Sequence, residues 1–416
     1  MTARHPSTPG PSGQPEGQTL AASGLSKSAT ASAGAQEAVQ EALKGLGGAP
    51  PTFGFVFASS RHDLRVVMAA VCDASGCEDV VGCTSVGEFT DRGMAYGGIA
   101  VLLVHAPRAV HRIVTAEGMR ADHARVARAL HQGFDEAAGR ARANGWAHPI
   151  TVLLVDGLAD TCERLVGQFL QQTKPFQQVV GGAAGVDYGV KEARLAAGKR
   201  GASDMAVALH VFGPKRWAIG LDHGLKPPEA KGSAVAKMTV TKMTGNVIEE
   251  LDGKPAIEAY RRHARDHGVE FTARDAGTYL VKNPLGLYFL DELRAVRVPG
   301  GLTESGGLLC TAAIATGSTV TILHGERSDL VAAAGNAARQ ARAALEGGEA
   351  AAVLVFDCGS RGLSLGPEFP SEVAAVRQVF PSTPVAGLLT YGEVARYRGR
   401  LDAWHHSTAV VVAIPR

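Results

Sequence analysis

Val81-Gly82-Cys83-Thr84-Ser85-Val86-Gly87-Glu88 returns near the other end of the chain as Ala386-Gly387-Leu388-Leu389-Thr390-Tyr391-Gly392-Glu393, with both glycines and the glutamate at the same spacing. A looser copy reads Val180-Gly181-Gly182-Ala183-Ala184-Gly185-Val186-Asp187, again ending on an acid. Each copy stands where a short apolar run gives way to a glycine-rich turn tipped by a carboxylate. Three matched turns predict a duplicated architecture and mark where a ligand would sit.

Around each phrase the same elements recur. In the first pass a helix over 34–46 carries Val39, Leu43 and Leu46 on one face and stops at Gly47-Gly48. A strand at 53–57 follows. Ser60-x-x-Asp63 then resembles a capping box that opens a helix to about 73. A strand at 80–81, the turn and a strand at 99–104 complete the unit. The second pass has a helix through Val126, Leu130 and Phe134, a strand at 152–155, and a helix through Leu165, Phe169 and Leu170. A strand at 179–180, the turn and a strand at 205–212 follow. The third has a helix opening near Ser328, a strand at 353–356, a helix over 368–379, a strand at 385–387 and a last strand at 409–414.

Helix–strand–helix–strand order means parallel crossovers, and the strand after each turn most simply returns antiparallel as a neighbour. The fold class is therefore mixed α/β: duplicated helix-strand-helix-strand-strand units forming mixed sheets covered by helices, in two similar halves. The expected boundaries are a disordered tail over 1–33, an α/β domain over 34–214 and a second over 215–416. Residues 214–326 differ, being strand-rich, with a hairpin at Gly245-Asn246 between strands at 236–244 and 247–251. One helix starts near Pro255 and runs to His267-Gly268. Gly307-Leu308-Leu309-Cys310-Thr311 followed by a strand at 319–323 echoes the unit and leaves a degenerate fourth copy as one reading.

The composition narrows the function. A net charge of +2 from 42 basic and 40 acidic residues, without a basic stripe, points away from nucleic acid and from an anionic membrane surface. No apolar run approaches the ~18 residues of a membrane span, and the first 33 residues contain no hydrophobic stretch to read as a signal peptide. Their Ser, Pro, Gly, Ala and Thr content predicts disorder. The six cysteines form no C-x-x-C pair and no zinc spacing, which suits a reduced cytoplasmic location.

The order G-C-T-S-x-G-E, V-V-G-G-A-A-G, E-L-D-G-K-P-A and N-P-L-G resembles the FIST (F-box and intracellular signal transduction) family. So do the later C-x-x-R, G-x-x-T-x-G-E and Trp404-His405-His406-Ser407-Thr408. The resemblance covers about residues 34–416, through both FIST N and FIST C domains, and departs from the family at His406, where Asn is usual. It implies a sensory, ligand-binding protein of signalling pathways, with small molecules such as amino acids as ligands. Some bacterial members look like haemoproteins that sense nitric oxide, so haem is a possible cofactor. It also implies a partner acting in trans, such as a histidine kinase or another signalling protein.

In open α/β sheets, ligands bind beyond the carboxyl ends of parallel strands. Those ends are 58–60 with 82–88, 156–157 with 181–187, and 357–361 with 387–393. The ligand-binding candidates are accordingly Ser85, Glu88, Gly181, Gly182, Cys358, Arg361, Thr390, Gly392 and Glu393. Arg361 can take a carboxylate and Glu393 an amine, which would suit an amino acid; equally, the two can pair with each other and brace the turn. Cys358 reads either as a small residue buried at a strand end or as a nucleophile with His405 or Glu393 as base. His405 or His406 could ligate haem, though adjacent strand residues point to opposite faces, and a strand-edge histidine is the plainer reading. His263 and His267, one helical turn apart, read as part of a solvated face. Glu88 and Glu393 read as acid–base residues or as caps on turn amides. The Gly181–Gly185 stretch lacks the Lys-Ser/Thr of a phosphate loop.

Overall fold

The computed structural model describes residues 17–174, 177–227, 237–272, 274–312, 314–396 and 403–416. Unit one consists of β1 (Leu20–Ser26), α1 (Ala31–Leu46), β2 (Phe53–Ser59), α2 (Leu64–Ser75), β3 (Val80–Ser85), the hairpin β4–β5 (Glu88–Thr90, Gly93–Ala95) and β6 (Ile99–His105). Unit two repeats it as β7 (Val110–Glu117), α3 (His123–Ala143), β8 (His148–Asp156), α4 (Cys162–Gln172), β9 (Gln178–Ala184), the hairpin β10–β11 (Leu195–Ala197, Arg200–Ala202) and β12 (Met205–Gly213).

Unit three opens with β13 (Ala218–Asp222) and is then interrupted. The insertion is β14 (Met238–Thr244), β15 (Val247–Leu251), β16 (Lys254–Pro255), α5 (Ala256–Asp266), α6 (Ala276–Lys282), β17 (Leu285–Phe289), β18 (Glu292–Arg297), β19 (Pro299–Leu302), β20 (Leu308–Cys310) and β21 (Thr319–Ile322). The unit resumes with α7 (Arg327–Ala344), β22 (Ala350–Cys358), α8 (Gly359–Leu365), α9 (Pro370–Val379), β23 (Val385–Thr390), β24 (Glu393–Arg396), β25 (Trp404–His405) and β26 (Ala409–Pro415).

The mixed α/β class stands as read. Within each unit the two crossover strands are parallel: β2 with β3, β8 with β9, and β22 with β23. The last strand returns antiparallel, but beside the first crossover strand and away from the turn. The segment between turn and return strand leaves its own unit altogether. Hairpin β4–β5 pairs with β23 of unit three, β24–β25 with β9 of unit two, and β10–β11 with β3 of unit one. The sheet orders are thus β1-β6-β2-β3-β10-β11, β7-β12-β8-β9-β24-β25 and β13-β26-β22-β23-β4-β5. One sequence of pairings is written three times, closed by a cyclic exchange of hairpins.

Alternation along the crossover strands places the core. Phe55 and Phe57, Val152 and Leu154, and Leu354 and Phe356 turn to one shared core, with the Phe57 and Phe356 rings edge-to-face at 6.3 Å. Val56 and Ala58 face α1 and α2, Leu153 and Val155 face α3 and α4, and Val353 and Val355 face the helices of unit three. Strands buried on both faces read as continuous apolar runs, which is why they were visible in the sequence. Each buried Phe contributes roughly 1.5–3 kcal/mol. Among the described residues, no helix is long and apolar enough to cross a membrane.

The first glycine of each phrase sits inside a strand, before the turn. A Cβ on Gly82 would lie 2.7 Å from the Val56 carbonyl oxygen, on Gly387 2.6 Å from that of Val355, and on Gly181 1.9 Å from that of Leu153. The phrase recurs because the parallel neighbour's backbone comes too close for any side chain.

Two expectations need correction. Residues 1–16 of the expected disordered tail lie outside the described residues, but 20–33 are ordered. Strand β1 pairs with β6 from Leu20↔His105 to Ser26↔Ile99. Its small residues admit helix α1, since a Cβ on Gly24 would meet the Ala38 carbonyl oxygen at 1.9 Å. The composition that suggested disorder is what close helix–strand contact demands. Second, Asp63 itself caps α2, accepting from the Arg65 amide, while Ser60 is used elsewhere. The insertion holds the expected hairpin and helix, but its strands form an antiparallel sheet of their own; the start of the strand expected at 236 lies outside the described residues.

Candidate functional site at the strand ends

The hairpin exchange gathers the three turns. The Val86 amide donates to the Leu389 carbonyl at 3.4 Å, the Tyr391 amide to Ala183 at 3.0 Å, and the Gly185 amide to Thr84 at 3.1 Å. These donors occupy the same place in each copy, so the turns bond in a ring, one to the next. At its centre a Cβ on Gly185 would be 3.3 Å from the Tyr391 ring and 3.4 Å from Val86 Cγ1. The Tyr391 hydroxyl donates to the Val186 carbonyl at 2.8 Å and ties two turns together.

Glu393 accepts from the Thr390 hydroxyl at 2.7 Å and from the Thr408 amide at 3.2 Å, and it has no exposed surface. Glu88 repeats this, accepting from the Ser85 hydroxyl and, at 3.0 Å, from the Gly98 amide. Gly98 and Thr408 each stand just before the return strand. Burial raises both carboxyls, Glu393 to about 8 and Glu88 well above the ordinary range. Each therefore clamps its own turn to its own return strand, whatever else it does. In unit two the clamp has moved. Ala184 has no hydroxyl, and the amide before β12, that of Asp204, is taken at 2.8 Å by Asp156 at the end of β8.

Asp187 is thereby released for a different contact. Its Oδ2 accepts from the hydroxyls of Ser59 at 2.6 Å and Ser60 at 2.9 Å, at the strand end of unit one. Arg61 Nε lies 3.6 Å from its Oδ1, with the arginine side chain 69% exposed and the acid 9% exposed.

Arg361 does not face Glu393. It lies in the first turn of α8, buried, with Nε 2.9 Å from Asp357 and Nη2 2.8 Å from Glu372. Its other N–H groups donate to the carbonyls of His223, Leu330 and Ser407. Burial works against its charge, but Glu372 and Asp357 outweigh that and hold it protonated; burial raises both acids, Glu372 strongly. A guanidinium so enclosed braces α8 and cannot receive a ligand's carboxylate.

Cys358 is buried against Glu393, and burial, then the Glu393 charge, pushes its thiol up. A thiol so raised and enclosed is poorly suited to attack, although Glu393, one of its two candidate bases, lies beside it. His405 bonds the Ala395 carbonyl through Nε2 at 3.0 Å. His406 is engaged at both ring nitrogens, with Thr311 at 3.1 Å and the Val296 carbonyl at 3.3 Å, and burial lowers it to about 3. An axial haem ligand needs a nitrogen free to reach iron, which His406 as placed does not offer. Gly182 and Gly392 are packing positions, since a Cβ would meet Thr390 Cγ2 at 2.7 Å and Trp404 Cζ2 at 2.6 Å respectively. Neither Arg61 nor Glu372 was singled out beforehand. Asp357 stands four residues before Arg361, but at the end of strand β22, so the spacing carries no helix signal.

Fold and site define a three-unit α/β protein whose matched strand ends meet in a ring of turns. The chain belongs to the FIST family: the FIST N domain matches residues 52–254 and the FIST C domain residues 256–396. These are sensory domains of signal transduction. No match is found among curated proteins.

Proposed function

We propose that this chain is a sensor for a small, amino-acid-like molecule, bound where the strand end of unit one meets the turn of unit two, and that its occupancy is read by a signalling protein in trans. The observation that carries this is the Arg61–Asp187 pair. Two serine hydroxyls hold the acid, while the arginine reaches solvent across a 3.6 Å contact. With the arginine 69% exposed, its ion pair with the acid holds weakly. Arg61 can therefore turn its planar fork to a ligand carboxylate and leave Asp187 to an ammonium group. The zwitterion reading thus moves from Arg361 and Glu393 to Arg61 and Asp187. Because the Asp187 turn bonds to its neighbours, a ligand that prefers one arrangement of the ring shifts its population.

The test is calorimetric titration of the L-amino acids into the wild-type chain and into Arg61→Gln and Asp187→Asn. Either substitution should weaken binding about tenfold or more, equivalent to ~1.4 kcal/mol. If no amino acid binds, or the variants bind as tightly, the reading is wrong.

A further inference from the structure

A cavity lies away from the strand-end corner, where helix α4 of unit two faces strands β17 and β18 of the insertion. It measures about 380 Å³ and is bordered by Glu163, Gly167 and Leu170 on the helix, Phe289 and Arg297 on the strands, and Trp404. Small-molecule sites span roughly 300–1,000 Å³ and favour such junctions.

Two of the residues that line this cavity carry a buried N–H donor without an acceptor. Arg297 is 8% exposed; its Nη2 reaches Glu163 at 2.6 Å and its Nη1 the Val296 carbonyl at 3.0 Å, but its buried Nε–H has no partner. Trp404 is 7% exposed and its buried indole N–H is likewise unpaired. Buried N–H groups are nearly always satisfied, and each exception asks for an explanation. The remaining wall mixes Leu170, Leu287, Tyr288 and Phe289 with the polar Arg294 and Ser318, and Phe289 is 63% exposed.

We propose that this cavity binds a carboxylate with an apolar, aromatic-sized body, whose oxygens accept from the Arg297 and Trp404 N–H groups while the body lies against Leu170 and Phe289. Two acceptor oxygens on one group match two donors, and an arginine donor favours an anion over a neutral acceptor. Trp404 also touches Gly392, where an added Cβ would stand 2.6 Å from its ring. An occupant that fixes the indole therefore acts on the turn at Gly392, and this second site reaches the ring of turns from behind.

Gly167 offers a clean test. A Cβ there meets nothing within 4 Å, so Gly167→Leu should fill the cavity without disturbing the core. The probes are 3-phenylpropionate, indole-3-acetate and octanoate, with 3-phenylpropanol as the uncharged control, titrated by calorimetry into the full chain. At least one acid should bind saturably and the alcohol about tenfold more weakly or not at all. Gly167→Leu should lose binding with an unchanged or raised melting temperature. Trp404→Phe should weaken it about tenfold. Arg61→Gln should leave these probes unaffected, which separates this site from the amino-acid corner. If none of the acids binds, or if Gly167→Leu binds them as wild type does, the assignment is overturned.

Discussion

Replacing Glu393 by Gln should remove a pH dependence of stability that wild type carries between about pH 5 and 8. The carboxyl has no exposed surface, and burial raises it from 4.5 to about 8. At about 1.36 kcal/mol per pH unit, that corresponds to roughly 4–5 kcal/mol. The sign follows from proton counting. Across this window the folded chain keeps a proton that the unfolded chain releases, so stability is fullest below 4.5 and falls until the folded carboxyl ionises near 8. Gln resembles the protonated acid and does not titrate. It can still accept from Thr390 or Thr408, whose bonds to Glu393 are 2.7 and 3.2 Å. Urea unfolding of both proteins at pH 5, 6, 7, 8 and 9 gives the difference directly. The variant should gain on wild type by several kcal/mol across the series. A difference that stays constant with pH, or grows the other way, would refute both the burial argument and the clamp.

Glu88→Gln should behave in the same direction, since Glu88 makes the matching contacts with Ser85 and Gly98; parallel pH profiles for wild type and this variant would break the equivalence of the units. Arg361→Met should cost about 3–5 kcal/mol, because Asp357 and Glu372 lose their buried counter-ion, and a loss under ~1 kcal/mol in urea unfolding would contradict it. Gly181→Ala should prevent stable folding, given φ +147° and a Cβ placed 1.9 Å from the Leu153 carbonyl, whereas Gly139→Ala, with open space around it in α3, should stabilise by up to ~1 kcal/mol in thermal melts. All six cysteines are buried and free, so a disulfide reagent at pH 8 should modify the native chain far more slowly than the urea-unfolded one; a thiol that reacts at once would show that its enclosure is not as described.

The parts of this fold that were legible in the sequence are those with a local cause. Gly82, Gly181 and Gly387 recur because a neighbouring carbonyl excludes a side chain at each, and Phe55, Val152 and Leu354 lie in apolar runs because both faces of their strands are covered. What stayed hidden depends on partners far along the chain. The exchanged strands are only two to four residues long, as at Glu88–Thr90, Glu393–Arg396 and Trp404–His405, too short to show a period. Edge strand β7, at Val110–Glu117, mixes His111, Arg112 and Thr115 with apolar residues, and so resembles a loop. Arg361 was visible as a cation near the site. Its commitment to Glu372 was not, because α8 opens on Gly359 and Ser360, which signal a loop. At the proposed corner Asp187 was visible as the third turn acid, while its partners, Ser59, Ser60 and Arg61, lie more than a hundred residues upstream.

The exchange of hairpins also sets an order of assembly on a chain made from its N-terminus. The sheet of unit one can close once β10–β11 has been made, through Ala202. Unit three finds its hairpin, Glu88–Ala95, already waiting. Unit two is the late one: β9 keeps an unpaired edge until Glu393–Arg396 leaves the ribosome, although its own helices and other strands were finished by Gly213. An unpaired strand edge is a template for pairing with another chain. A product cut short before β24 would carry that edge permanently, and its fate would be aggregation or degradation.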